Sequence, residues 1–379
     1  MPADRHAEDL AFLGRFTPIH QLKSADGAVV AVAPAYQGRV MTSGLDGPGG
    51  ASFGWLNRRF IEAGRTATAF DNYGGEDRFW LGPEGGQFSV FFAAGDPQDL
   101  AHWQTPEGFN QGSFAVDSAD TQAVRMHKDF AVTNASETRF DCHVERTIRL
   151  LDRPQVHRNL RQAIPAAVRL VAFETDNVLT NASDKPWTRQ GGLLSLWTLG
   201  QFKPLRRGKV IVPFKSGSNK ELGPKATTDY FGPIPPDRCQ VKDDHLLFAC
   251  DGQFRGKIGV SPARAKDVLG SFDPEANVLT LAQFNLPPDA ARKPYVNSLW
   301  EKQKRPFAGD AINSYNDGPP PGGGEMLGGF YELETSSPAA ELAPGQSLRH
   351  VHRTIHLSGP CEALADLAHP LLGTDLKSI

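Results

Sequence analysis

The sequence predicts an all-β protein folded as one continuous domain over residues 1–379. Apolar and polar residues alternate with a period of two over most of the length, which is the pattern of strands with one buried face. Convincing helical patterns are few. The 38 Gly and 29 Pro are scattered as turn residues between short elements, and no linker divides the chain.

The strand predictions follow this alternation. In the run 138–151, Phe140, Cys142 and Val144 share one face, while their neighbours are mostly polar. Runs with a similar pattern are predicted as strands at 28–33, 38–43, 87–92, 167–180, 192–199, 209–214, 277–286, 329–335 and 348–357.

Helices are predicted only at 7–16, 54–64 and 361–369. Residues 1–20 are therefore expected to form a helical lead-in to the β domain. Residues 361–379 are expected to form a short helix and a tail.

The segment 316–329 is a long loop rich in Gly and Pro. It is not a phosphate-binding loop, because no Gly-Lys-Ser/Thr follows and no helix is signalled. A loop of this kind is either a flexible connector or one wall of a site, and both alternatives stay open here.

The overall charge narrows the choice of partners. A formal net charge of −3 provides no positive field for nucleic acid or for an anionic membrane. No apolar run approaches the ~20 residues needed to span a bilayer, and the N-terminus lacks the apolar core of a signal peptide. We therefore expect a cytoplasmic protein that binds a small polar molecule.

The cysteines show neither a CxxC pair nor zinc-site spacing, so we expect reduced thiols. They are Cys142, Cys239, Cys250 and Cys361. Neither a cofactor nor a metal ion is predicted.

The predicted hairpin at 331–353 holds the most informative side chains. Glu332 and Glu334 are two residues apart on a strand, so both carboxylates point to one face. His350 and His352 likewise share a face of the next strand. Carboxylates and imidazoles gathered on one face are suited to proton transfer, and crowded like charges raise the pKa of a carboxyl group toward neutrality.

Two other interpretations of this hairpin stay open. Alternating Glu and His side chains also form the solvated outer face of a strand whose other face is buried. His350 and His352, with Glu332 or Glu334, could also bind a metal ion, although an isolated His-x-His is a weak metal signal.

The segment 73–86 gathers charged, aromatic and Gly residues in a composition unsuited to a core strand. Sugar sites need aromatic rings for C–H surfaces and polar groups for hydroxyls. Asp77, Arg78 and Trp80 are therefore candidate ligand-binding residues. The alternative is a structural turn with an internal Asp–Arg pair.

Further candidates lie in the stretches 254–259, 295–301 and 309–318, where hydroxyl-binding and stacking side chains recur. Their alternative role is to cap turns and to pack in the core. The candidates are Lys257, Trp300, Asn313, Tyr315, Asn316 and Asp317.

Together these motifs resemble the galactose mutarotase-like (aldose 1-epimerase-like) superfamily, and most closely an uncharacterised bacterial branch of it. Residues 333–335 (Leu-Glu-Thr) followed by 342–345 (Leu-Ala-Pro-Gly) are similar to the Leu-Glu-Thr and Leu-x-Pro-Gly-Glu end of mutarotases. Residues 77–79 (Asp-Arg-Phe) followed by Gly82 are similar to their Asn-Arg-Ile…Gly segment.

The resemblance implies a β-supersandwich, in which two large antiparallel sheets pack face to face and few short helices are present. It places the site in the concave face of one sheet. It makes Glu334 the counterpart of the general base. It also places Arg78 at the sugar, with Asp77 in the position of the family's Asn.

The sequence departs from the mutarotase pattern at the acid histidine. Residues 181–187 match the family's turn, but 188–192 (Thr-Arg-Gln-Gly-Gly) follow where the histidine should lie. Either another group protonates the ring oxygen or the reaction differs. The candidate acids are His350, His352 and Lys257.

The leading hypothesis is an epimerase- or mutarotase-type isomerase that uses Glu334 as general base. It would bind a monosaccharide or a sugar end-unit between Arg78, Trp80, Trp300 and Asn316. A sugar lyase or an epimerase acting at carbon on a keto or uronic sugar is one alternative. A non-catalytic carbohydrate-binding protein is the other.

Overall fold

The computed structural model describes residues 5–67, 69–320, 323 and 325–379. Residues 1–4 of the predicted lead-in and residues 321, 322 and 324 of the Gly/Pro-rich loop lie outside the described residues.

Strands dominate the described chain. They are β1 (His20–Lys23), β2 (Val29–Ala33), β3 (Arg39–Gly44), β4 (Arg78–Gly82), β5 (Ala115–Ala119), β6 (Ala123–Thr133), β7 (Arg139–Leu150), β8 (Arg169–Asn181), β9 (Ser195–Phe202), β10 (Lys209–Pro213), β11 (Cys239–Val241), β12 (His245–Ala249), β13 (Gly256–Val260), β14 (Val268–Asp273), β15 (Val278–Phe284), β16 (Ile312–Asn316), β17 (Tyr331–Ser336) and β18 (Ser347–Ser358).

The helices are short, and most of them lie in connections between strands. They are α1 (His6–Leu13), α2 (Arg58–Ala63), α3 (Glu107–Asn110), α4 (Arg153–Leu160), α5 (Asn219–Leu222) and α6 (Cys361–Leu372), with 3₁₀ turns at Gly47–Gly49, Ala290–Arg292 and Leu376–Ser378. The predicted helices correspond to α1, α2 and α6. Helices α3, α4 and α5 were not predicted.

Two large antiparallel sheets build the molecule, as the resemblance implied. The large sheet has the strand order β11-β12-β10-β14-β15-β18-β8-β7-β6-β5. The site sheet, named for what it carries, has the order β13-β16-β17-β9-β4. A further three-stranded sheet, β1-β2-β3, was not predicted.

One face of the site sheet packs against the large sheet. The hydroxyl groups of Tyr331 (β17) and Ser271 (β14) lie 2.7 Å apart. Four residues along β17 from Tyr331, Thr335 Oγ1 lies 2.8 Å from a ring nitrogen of His350 and 2.8 Å from one of His352, both on β18. Leu333, between them, is fully buried in the intersheet core. The opposite face of the site sheet is therefore left for the connecting loops to cover.

The prediction of a strand at 87–92 is wrong. Val90, Phe91 and Phe92 are buried in the core, but they lie in a loop without strand hydrogen bonding. The Ser89 hydroxyl group holds the loop, since it donates to Glu84 O and accepts from Phe91 N at 3.0 Å. The apolar residues here are buried in a folded loop. Because both a strand and a packed loop bury apolar side chains, the sequence pattern did not distinguish them.

The segment 73–86 was also misjudged, because its centre is a fully buried strand. Strand β4 pairs with β9 and forms one edge of the site sheet. Its charged side chain, Arg78, is only 2% exposed and donates a hydrogen bond to Glu332.

Candidate functional site

The strand register brings the predicted carboxylates together with polar side chains of neighbouring strands. Tyr331, Leu333 and Thr335 use the face of β17 that meets the large sheet, so Glu332 and Glu334 point to the other face. In the antiparallel ladder Glu332 lies opposite Tyr315 of β16 and Gln201 of β9.

The same ladder continues to the edges of the site sheet. Glu334 lies opposite Asn313 and Leu199, and Leu199 lies opposite Arg78 on β4. Lys257 on β13 lies opposite Tyr315. Directly opposed side chains on one face are within reach of one another, so five strands supply one cluster.

The centre of this face is a buried charge cluster. Arg78 Nη2 donates to Glu332 Oε1 at 2.8 Å. Lys257 Nζ lies 3.1 Å from Glu334 Oε2 and 3.8 Å from Glu84 Oε2. The Trp197 indole N–H donates to the same Glu334 oxygen at 3.0 Å. Glu334 Oε1, in contrast, is buried without a hydrogen-bond partner in the described chain.

Burial sets the protonation of this cluster. Burial, reinforced by the charge of Glu334, raises the pKa of Glu332 to about 8 against the opposing effect of Arg78. Burial also raises the pKa of Glu84. Burial alone would lower the pKa of Lys257. The charges of Glu334, Glu84 and Glu332 outweigh this effect, so the pKa of Lys257 is raised. The cluster can therefore keep a protonated carboxyl group beside ionised neighbours near neutral pH.

The cluster forms the floor of an open cleft whose walls are largely aromatic. About 530 Å³ of space, part of it continuous with solvent, lies between these side chains. The cleft is narrow, because only about 60 Å³ admits the centre of a water molecule. The ring-bearing wall residues are Phe70, Trp80, Trp103, Trp197, Phe231, Trp300, Tyr315 and Phe330, and the charged ones are Arg78, Glu84, Arg255, Lys257 and Glu332.

Several buried polar atoms on the cleft residues have no hydrogen-bond partner among the described residues. Buried polar groups are normally satisfied, so a concentration of open ones marks a place where a polar ligand or water binds. The atoms are Arg78 Nε and Nη1, Trp80 Nε1, Trp103 Nε1, Arg255 Nε, and both Nε2 and Oε1 of Gln201.

Glu334 itself is fully buried and does not line the cleft. It contacts the open space through Lys257 and Trp197, which do line it. A ligand that reaches Glu334 must therefore shift the Lys257 side chain, which is long and flexible.

Other predicted ligand-binding residues lie next to the cleft without lining it. Asp317 accepts from the Tyr315 hydroxyl at 2.9 Å and from the backbone N–H groups of Gly328 and Gly329 at 2.8 and 2.7 Å. It thereby ties down the end of the Gly/Pro-rich loop, and Leu327 of that loop lines the cleft. The described part of the loop is thus a wall of the site.

Asn313 and Asn316 are engaged in holding loops. Asn313 Nδ2 donates to the Tyr230 hydroxyl at 3.2 Å, and that hydroxyl donates to Asp310 Oδ2 at 2.6 Å. Burial raises the pKa of Asp310 to about 6. Asn316 is fully buried and bonds to the backbone of Gly252 and Phe254. It is therefore not available to a ligand in the cleft.

The two histidines are not brought together with the carboxylates. His350 and His352 lie between the sheets, on the side of β17 opposite Glu332 and Glu334, where both contact Thr335. Burial lowers the pKa of His350 to about 3 and that of His352 to about 4. The expectation that these carboxylates and imidazoles share one face is therefore wrong. The alternative of a metal site is wrong for the same reason, because it needed His350 and His352 beside Glu332 or Glu334.

Asp77 also points away from the cleft. It pairs with Arg146 between the sheets, and the Thr175 hydroxyl donates to its second oxygen at 2.8 Å. Adjacent residues of a strand point to opposite faces, so Asp77 turns inward where Arg78 turns outward.

Within the described residues, no group of three or more His, Cys, Asp or Glu is arranged to hold a metal ion. The same part of the chain contains no helix that is both long and apolar enough to span a membrane. All four Cys thiols, which are described, are unpaired.

Several cleft residues were missed from the sequence because they lie in loops or in strands that carried no polar signal. Arg255 sits two residues before the predicted Lys257, and Glu84 lies inside the segment 73–86. Trp197 and Gln201 share one face of β9. The period of two along this strand could have paired them, once β9 was known to belong to the site sheet. The residues concerned are Glu84, Trp103, Trp197, Gln201, Phe231 and Arg255.

The raised pKa of Glu332 predicts a pH-dependent effect of Glu332→Gln on stability. In the unfolded chain this carboxyl group has an ordinary pKa of 4.5, whereas in the folded protein its pKa is about 8. The stability associated with the protonated group is complete below the unfolded pKa and is lost as pH rises through the folded pKa. A glutamine stays neutral throughout. The variant should therefore match the wild type near pH 5 and become progressively more stable than it up to about pH 8, by at most about 1.4 kcal/mol per pH unit.

Urea unfolding of both proteins at pH 5, 7 and 9 measures this difference. Glu341→Gln is the control, because Glu341 is an exposed carboxylate 3.7 Å from Arg189 and should give a nearly flat difference. A Glu332→Gln difference that is independent of pH would show that the carboxyl group is not protonated in the folded protein.

The fold defines the class of protein, because it matches known structures along nearly the whole chain. A proposed aldose 1-epimerase of Escherichia coli K12 is 10% identical with a TM-score of 0.53, covering 89% of this chain and 98% of its own. A galactose mutarotase-like protein of Lactobacillus casei is 11% identical with a TM-score of 0.52, covering 90% and 100%. The protein thus has the galactose mutarotase-like fold.

The chain belongs to a family of unknown function, DUF6786, whose model matches residues 4–379. No protein of curated function matches the sequence. The fold prediction is confirmed, and the family places the chain in an uncharacterised branch of this fold.

Proposed function

We propose that the protein is a carbohydrate-active isomerase that binds a monosaccharide or a sugar end-unit in the cleft. The observation that carries the proposal is the set of unpartnered polar atoms on a floor surrounded by aromatic rings. A sugar ring presents C–H faces that stack on aromatic side chains and hydroxyl groups that both donate and accept hydrogen bonds. Few other small molecules combine these two demands. The shared fold with proteins described as an aldose 1-epimerase or as mutarotase-like supports the same class.

In this proposal Glu334 is the general base. Trp197 and Lys257 hold Oε2 of this buried side chain. The unpartnered Oε1 accepts the proton once the ligand has shifted the Lys257 side chain. Glu332 takes the place of the absent acid histidine, because its raised pKa keeps it protonated near neutral pH. Arg78 binds Glu332 Oε1, so Oε2 is free to carry that proton.

The proton balance of anomer interconversion suits this pair. Glu334 removes the proton of the anomeric hydroxyl group, and Glu332 gives a proton to the ring oxygen as the bond from C1 to that oxygen breaks. The open-chain aldehyde rotates about its C1–C2 bond. The reverse transfers then close the ring on the other face of C1 and restore both carboxyl groups.

The test of the proposal is Glu334→Gln. Anomer exchange of a bound sugar, followed by NMR exchange spectroscopy, should fall by about 100-fold or more, because a general base contributes roughly 10²–10⁴-fold. Sugar affinity should change little, because the amide keeps the Trp197 hydrogen bond. Glu341→Gln, on the protein surface, should leave exchange unchanged.

A non-catalytic carbohydrate-binding protein is the second candidate function, and the complete burial of Glu334 favours it. Sugar binding by the wild type without anomer exchange or any other turnover would establish that role. Exchange that survives Glu334→Gln would remove Glu334 as the base. Failure of every sugar in a broad panel to bind would overturn the carbohydrate proposal itself.

A lyase or carbon epimerase that uses Tyr315 as its base is less well supported. Burial raises the pKa of Tyr315 well above its ordinary value, and its hydroxyl group already donates to Asp317. A phenol held in its protonated form is a poor proton acceptor.

A further inference from the structure

One cation in the cleft has no counterion among the residues that the structure describes. Arg255 precedes β13, lines the cleft, and is only partly exposed. Its guanidinium group lies 4.4 Å from the centre of the Phe231 ring, and it forms no hydrogen bond or ion pair with any residue that the structure describes. Its Nε is buried and unpartnered. A partly desolvated charge without a partner is costly, so the free protein holds a cation that an anion would stabilise.

Arg78 adds donors on the same floor. One of its terminal nitrogens binds Glu332, while Nε and Nη1 are buried without partners in the described chain. With the indole N–H groups of Trp80 and Trp103, the open positions are mostly donors. An acceptor-rich ligand is needed to satisfy them.

The carboxylates of the cleft do not supply these acceptors. Glu332 faces Arg78, and Glu84 and Glu334 face Lys257. Arg255 affects Glu84 only through its field, without an ion pair. Arg78 and Lys257 thus each contact a carboxyl group of the cluster, whereas Arg255 contacts none among the described residues.

We propose, building on the carbohydrate function above, that the natural ligand is an acidic sugar whose carboxylate is bound by Arg255. The planar guanidinium fork suits a carboxylate, which it can bind through two parallel hydrogen bonds. A single unpaired cation matches a single negative charge, whereas a phosphate ester carries nearly two. The sugar ring then lies over the donors of Arg78, between the aromatic walls.

The test compares matched pairs of ligands by isothermal titration calorimetry. Glucuronate, galacturonate and mannuronate are each paired with the neutral parent hexose, and with the hexose 6-phosphate. The best-binding uronate should bind about 10- to 100-fold more tightly than its parent, because hydrogen bonds to a charged group contribute roughly 1.5–3 kcal/mol. The advantage should shrink as salt is raised.

Arg255→Gln should remove the advantage of the uronate and leave the neutral hexose unaffected, while Arg255→Lys should retain part of it. Arg189→Gln is the matched control, because Arg189 also lies over a phenylalanine ring, Phe307, at 5.3 Å but outside the cleft. It should preserve the full preference.

The outcomes separate the inference from the function on which it rests. If neutral hexoses bind as tightly as uronates, the acidic-sugar inference is overturned while the carbohydrate function stands. Tighter binding of the hexose 6-phosphate overturns it in favour of a phosphorylated sugar. If no sugar of any class binds, the proposed function fails and the inference fails with it.

Discussion

Replacing Asp77 with alanine is expected to lower the free energy of unfolding by about 3–5 kcal/mol, since removing one partner of a buried ion pair leaves the other charge uncompensated. Asp77 and Arg146 are both fully buried between the sheets. Arg146 Nε also donates to Gly38 O at 2.9 Å. This hydrogen bond holds the charged guanidinium group in its buried position when Asp77 is removed. Urea unfolding monitored by tryptophan fluorescence measures the loss.

Asp176→Ala provides the matched control. Asp176 lies on β8 next to Thr175, the residue whose hydroxyl group binds Asp77. Asp176 pairs with Arg349 at 2.7 and 2.8 Å, but the Arg349 side chain is 60% exposed. Its loss should cost at most about 1 kcal/mol. Equal costs for Asp77→Ala and Asp176→Ala would contradict the view that burial makes the Asp77 pair critical.

The position of Asp77 explains why part of the resemblance was misleading. Arg78, which the short motif 77–79 places at the sugar, lines the cleft. The first residue of the motif, however, forms a structural link between the sheets, to Arg146 and Thr175. Motif similarity identifies neighbours along a strand, whereas function depends on which face each side chain takes.

Strand periodicity was sufficient to predict the all-β class, whereas the two-sheet sandwich was implied by the resemblance. The long alternating runs became β7, β8 and β18 almost as predicted, because apolar residues recur on their buried faces, among buried polar ones such as Arg146, Thr175 and His352. Helix α4 was missed although its signal was present. Asp152 and Gln155 form a capping box with a proline at the helix start, a recognisable helix-start pattern.

Periodicity could not decide which face of a strand is the inner one. As predicted, Glu332 and Glu334 share a face of their strand, and His350 and His352 share a face of theirs. The polar histidine face nevertheless turns into the core, where Thr335 satisfies both rings. Which face of a strand is buried depends on how the two sheets pack together. A single sequence does not directly indicate that packing.

The walls of the cleft were the hardest part to predict. Phe231 and Trp103 lie in loops far apart in the sequence, and nothing local indicates that they meet. Glu84 is in a segment where Gly and Pro dominate the pattern. These side chains converge because loops cover the free face of the site sheet, a long-range effect of the fold.

The resulting cluster has a consequence for stability as well as for function. Lys257 is 5% exposed, and its ammonium group lies 4.6 Å from the centre of the Trp197 ring, beside two carboxylates. It is the cation closest to Glu334. The stability of the site sheet therefore depends on a side chain that also holds the proposed base in place.

Lys257→Met is accordingly expected to destabilise the protein by about 3–5 kcal/mol, because the methionine fills the space but leaves the charge of Glu334 buried and unopposed. The double variant Lys257→Met/Glu334→Gln should recover most of this loss, since it removes the stranded charge. Lys225→Met is the control, because the Asp243 partner of Lys225 is fully exposed and its loss should cost at most about 1 kcal/mol. Urea unfolding of the single and double variants gives the coupling energy. A double variant as unstable as Lys257→Met alone would mean that packing of the lysine stem, and not its pairing with Glu334, stabilises the cluster.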